Sequence, residues 1–108
     1  MIRITIYQSA EHGYRGFLCK GHAGYADSGE DIVCAAVSVL VINTVNSIER
    51  FGGQPFTCET EQEDGIIDFR LKDNPTAETK LLLDSMVLGL TEVEKDHKQH
   101  LKLNFKEV

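Results

Sequence analysis

The run from Ile32 to Val45 constrains the fold more than any other stretch. Ile32, Val33, Ala35, Ala36, Val37, Val39, Leu40, Val41, Ile42 and Val45 leave almost no polar side on a helix of that length. A helix that is apolar all round is buried all round. The chain has 108 residues, which is enough for one domain and one continuous core, so residues 1–108 are read as a single domain. One sheet cannot cover such a helix on every side, and a second copy of the chain is the expected cover. Ser28 with Asp31 three residues on is a capping-box-like start. Gly52-Gly53 stops the helix after about Phe51, because glycine takes the left-handed position past a helix end without steric cost. The unbroken part, Ile32 to Ile42, is too short to span a bilayer and holds Ser38, so no membrane association is expected.

The flanking segments alternate instead. Ile2, Ile4 and Ile6 fall on one face and Arg3, Thr5 and Tyr7 on the other, as in a half-covered strand. His12-Gly13 marks a turn into a second strand, Tyr14 to Lys20. Pro55 to Thr60 and Ile66 to Lys72 alternate around Asp64-Gly65, a hairpin signal that sets Phe56 and Cys58 against Ile67, Phe69 and Leu71. Asn74-Pro75 starts a second helix, with Asn74 as N-cap. Leu82, Leu83, Met86, Leu90 and Val93 form its apolar stripe. Leu101, Leu103 and Phe105 make a last strand. The order β-β-α-β-β-α-β predicts an α+β fold: a two-layer α/β sandwich of two helices on a mostly antiparallel sheet.

Composition excludes several functions. A net charge of −6 argues against direct nucleic-acid binding, which needs Lys and Arg to neutralise phosphates, and favours a basic partner. Cys19, Cys34 and Cys58 are odd in number and scattered, which points to reduced thiols rather than a disulfide framework. Met1 to Ala10 lacks the long apolar run of a secretory signal, and a cytoplasmic location is expected.

Chemistry concentrates where a glycine-rich loop, Gly21 to Gly29, meets the first helix. Asp31, Cys34 and Ser38, at spacings of three and four, share one helix face. The loop brings His22 to that face. A thiol has a pKa of roughly 8.5, so a cysteine nucleophile needs a base, and an imidazole both takes its proton and later protonates the leaving amine. Asp31 would orient the imidazole. Ser38 would hydrogen-bond the thiolate or a substrate carbonyl. Loop amides would hold the oxyanion. Each residue also has a plain explanation. Cys34 serves as a small buried hydrophobe, His22 as a loop residue, Asp31 as a helix cap and Ser38 as a small packing residue. Tyr25 either shapes a peptide pocket or packs on the surface. Cys19, His22 and Cys34 with His12 or Cys58 form a rival zinc set, but beyond Cys19-x-x-His22 its spacing matches no familiar pattern, so no metal is expected. Cys19 and Cys58 are expected in the core. A non-catalytic dimeric module that binds a basic protein is the alternative function.

The stretch Gly21-His22-Ala23-Gly24, then Gly29-x-Asp31-x-Val33-Cys34-Ala35-Ala36-x-Ser38, resembles the signature of the ribosomal-processing cysteine protease family, Prp. The resemblance runs over essentially the whole chain, with no departure at the motif positions. It implies a cytoplasmic, homodimeric endopeptidase without cofactor or metal. Its substrate would be the precursor of large-subunit ribosomal protein twenty-seven, whose N-terminal extension is removed after a Phe-Phe pair. Carried over by position, Cys34 is the nucleophile and His22 the base, supported by Asp31, Ser38 and Gly21. The mobile substrate-binding loop between His22 and Cys34 would include Ala23, Gly24, Tyr25 and Gly29.

Overall fold

The structure, a computed structural model, describes residues 1–21 and 28–108, with the backbone alone for residues 28–31. Its elements are β1 (Ile2–Ser9), β2 (Gly13–Lys20), α1 (Ser28–Ser47), a π-helical turn (Ile48–Gly52), β3 (Phe56–Glu61), β4 (Ile66–Leu71), α2 (Ala77–Asp96) and β5 (Leu101–Glu107). The sheet runs β3-β4-β2-β1-β5. Three of its pairings are antiparallel, and β1–β5 is parallel. Each helix therefore links two strands that point the same way: α1 carries the chain from β2 to β3, and α2 from β4 to β5.

Both helices pack on one face, as expected for two layers. Ile2, Ile4, Ile6, Phe17, Phe69 and Leu101 from the sheet share one core with Val33, Val37 and Val41 of α1 and Leu83, Met86 and Leu90 of α2. Phe17 and Phe69 stack at its centre, with ring centroids 5.1 Å apart. Burying one such side chain stabilises the fold by roughly 1.5–3 kcal/mol. On the opposite face the Arg70 guanidinium lies 4.0 Å over the Tyr7 ring.

Within a single copy the first helix keeps an open side, in line with the expectation that one sheet cannot cover it: Ile32 and Val39 are exposed, and Ile42 is half exposed. The sheet covers one side and α2 another, and the outward side stays bare. The apolar stretch also reaches past Ile42. Residues Ile32–Gly52 are long and apolar enough to cross a bilayer by length and composition, yet Val33, Val41 and Ile48 are fully enclosed in the core of the sandwich. The helix end widens into the π-helical turn before Gly53 stops it at φ +66°. Gly29 lies inside α1, one residue past its start, and not in the loop.

The second helix starts later than expected, because Thr76 and not Asn74 is its N-cap. The Thr76 hydroxyl accepts from the Thr79 amide at 3.2 Å and lies 2.7 Å from the Gly52 carbonyl, to which it donates. One side chain thus joins the end of the first helical segment to the start of α2. Asn74 is engaged elsewhere, accepting from Arg15 at 3.1 Å. The β3–β4 turn is four residues long, and only Gly65, at φ +61°, takes a positive φ. Its register sets Phe56 against Leu71 and Cys58 against Phe69, as expected.

Candidate active site

The two helices do not cover β3 and the adjoining part of β4. A cavity of about 490 Å³ opens there between α1 and the sheet. Helical spacing brings Cys34, Val37, Ser38, Val41, Ile42 and Val45 to it from α1. The sheet contributes Ile2, Cys19, Cys58, Thr60 and Ile67.

Cys34 and Ser38 therefore meet at one end of one cavity, four residues apart on one helix face. Cys34 is half-buried and packs against the core. It is the seventh residue of α1, beyond the first turn, where the helix dipole does little for a thiolate. Gly21 borders the same cavity, and His22 follows it in the chain. The Gly21 amide donates to the Asp64 carbonyl at 3.2 Å. Its φ is +95°, and an added Cβ would stand 2.6 Å from the Met1 carbonyl oxygen. No other residue fits, so the chain leaves β2 from a fixed point at the cavity. His22, Ala23, Gly24 and Tyr25 lie outside the described residues, as does the side chain of Asp31.

All three cysteines border the cavity. Cys19 is buried as expected, and burial, followed by the nearby Cys58, pushes its thiol up to about 12. Cys58 is exposed and not a core residue, because β3 is an edge strand that no helix covers. Partial burial, then the Asp68 carboxylate, pushes its thiol up as well. Both are thus poor sources of thiolate at neutral pH. Among the described residues no group of three or more His, Cys, Asp or Glu is placed to hold a metal. At the rim, a hydrogen bond with Asp64 and that residue's charge push the Glu61 carboxyl up.

The family model for the cysteine protease Prp matches residues 1–102. The chain belongs to the Prp family of cysteine proteases. It is 32% identical to the ribosomal processing cysteine protease Prp of Bacillus subtilis, over 95% of this chain and 96% of that protein. It is 27% identical to the Prp protease of Staphylococcus aureus, over 98% of this chain and all of that one. The S. aureus Prp solved with a substrate peptide superposes with a TM-score of 0.91 at 26% identity, covering 98% of this chain and all of the other. The S. aureus enzyme with a covalently linked product peptide gives 0.88 at 27% identity, with the same coverage. The chain is therefore a cysteine protease with the α+β architecture of the Prp enzymes, and the non-catalytic alternative is set aside.

Proposed function

We propose that Cys34 is the nucleophile and His22 the general base of an endopeptidase that processes a ribosomal protein precursor. Its substrate is the N-terminal extension of large-subunit ribosomal protein twenty-seven, cut after a Phe-Phe pair. The observation that carries this reading is the meeting of Cys34, Ser38 and Gly21, the residue before His22, around one apolar cavity. The names of the Prp relatives support ribosomal processing.

The imidazole takes the Cys34 proton, and the thiolate attacks the scissile carbonyl. The tetrahedral intermediate collapses to a thioester as the imidazolium protonates the departing amine. Water, deprotonated by the same imidazole, then releases the acyl fragment. Asp31 steadies the imidazolium, and Ser38 hydrogen-bonds the sulfur or the carbonyl. This chemistry needs neither metal nor organic cofactor, since thiolate and imidazole supply the nucleophile and both proton transfers. The net charge of −6, with Glu61 bordering the cavity, suits a basic ribosomal substrate more than nucleic acid. The bare apolar side of α1, with Ile32, Val39 and Ile42, suits a homodimer in the cytoplasm.

Mass spectrometry of the precursor after incubation tests the assignment. Wild type removes the extension, whereas Cys34→Ala and His22→Ala leave it intact, and Asp31→Asn is intermediate. Normal turnover by Cys34→Ala would end the proposal.

A further inference from the structure

We infer that Cys58 and Thr60, on the edge strand β3, set the size of the apolar substrate side chain that the enzyme accepts beside the scissile bond. The inference rests on the protease reading above and names the residues that would give it specificity.

Strand register decides which β3 side chains face the helices. In an antiparallel pair, directly opposed residues put their side chains on the same face. Cys58 opposes Phe69, which opposes Phe17 on the next strand, and both phenylalanines are fully buried toward the helices. Thr60 opposes Ile67, which opposes the buried Cys19. Two rows of core residues therefore run out across the sheet and end in small side chains on β3. Both of these small residues are exposed, because no helix lies over them, and both line the cavity. The space exists because these rows end small.

Its shape and lining indicate the occupant. A volume of about 490 Å³ is several times the roughly 150 Å³ cavity that takes a benzene ring. The walls are mainly aliphatic, with Val37 and Val41 of the buried core at the base and Ile42, Val45 and Ile67 nearer the opening. The cavity starts at Cys34 and follows α1 toward Asn46, about 18 Å at 1.5 Å per residue. A peptide held at the Cys34 sulfur thus has a large apolar pocket within one or two residues of its reacting carbonyl. The base is fixed by the core, whereas the β3 residues can change size without disturbing it.

Two measurements test this. The first compares kcat/KM for peptides that differ only in Phe or Ala before the cut. Burying an aromatic side chain predicts that wild type prefers Phe by on the order of 10- to 100-fold. Cys58→Phe or Thr60→Phe should lower the rate on the Phe peptide at least tenfold and compress the preference. Thr57→Phe, which opposes Arg70 on the other face, should leave the preference unchanged. The second measurement uses Cys34→Ala, which binds without cleaving, and follows alkylation of Cys58. Saturating Phe peptide should slow that alkylation at least tenfold, and Ala peptide should not. An unchanged preference in both β3 variants, or full Cys58 reactivity under saturating peptide, overturns the inference. So does Cys58 protection that rises with protein concentration alone, since a second copy would then fill the cavity. If wild type cleaves neither peptide but Cys58 is still shielded, the protease assignment fails and the pocket stands.

Discussion

Gly21→Ala should destabilise the protein by about 2–4 kcal/mol, and the structure separates that figure into two parts. At φ +95° the backbone lies outside the regions open to an L side chain, which costs roughly 1–2 kcal/mol. The new Cβ would also stand 2.6 Å from the Met1 carbonyl oxygen. An ordinary contact is close to 3.4 Å, so backbone must yield, and overpacking of this kind costs about 1–3 kcal/mol. The stiffer unfolded chain returns roughly 0.4–1 kcal/mol. Gly53→Ala is the internal control, because its φ of +66° is similarly unfavourable but nothing lies within 4 Å of the new atom. Only the conformational part remains there, about 1 kcal/mol. Urea denaturation of both variants and wild type at matched m-value gives the comparison. A difference of less than about 0.5 kcal/mol between the two variants would refute the steric argument at Gly21. Because this residue fixes where the chain leaves β2, kcat should fall in Gly21→Ala even at temperatures where the protein is fully folded.

Two further outcomes follow from the same geometry. Cys19 keeps its proton up to about 12 when folded, against an ordinary thiol value of 9.0, so the unfolded chain ionises first. Its stabilising contribution is complete below pH 9 and declines as pH rises toward 12, by about 1 kcal/mol between pH 9 and 10. Cys19→Ala should be less stable overall but lack that part of the alkaline slope in urea titrations; an identical slope would reject the assignment. Thr76→Ala removes both the N-cap of α2 and the bond to the Gly52 carbonyl, and should lose about 2 kcal/mol in thermal or urea unfolding. Thr76→Ser should recover most of it.

Local patterns in the sequence were enough to place most elements. Ile2, Ile4 and Ile6 announce a strand with one buried face, Gly53 announces a helix end, and the alternation around Asp64-Gly65 sets the β3–β4 register. Features that depend on distant partners were not legible. Thr76 displaces Asn74 as the cap because it meets Gly52, which lies 24 positions back. Cys58 looks like a core residue by alternation, yet its strand falls at the sheet edge, and no local signal fixes strand order. Gly21 reads as one loop glycine among several until Met1 is seen beside it. The site was half legible: the spacing of Cys34 and Ser38 gives their shared face, whereas the cavity requires the small ends of two cross-strand rows.

The pairing of β1 with β5 has a practical consequence for handling the protein. Ile2 lies beside Leu101, and both Ile2 and Gly21 border the cavity. The Val108 amide instead bonds the Gln8 carbonyl at 2.9 Å, about 20 Å away along the strand. An affinity tag fused before Met1 would emerge beside the cavity that Cys34 borders and crowd it. The same tag after Val108 would leave from the far end of the strand and spare the cavity.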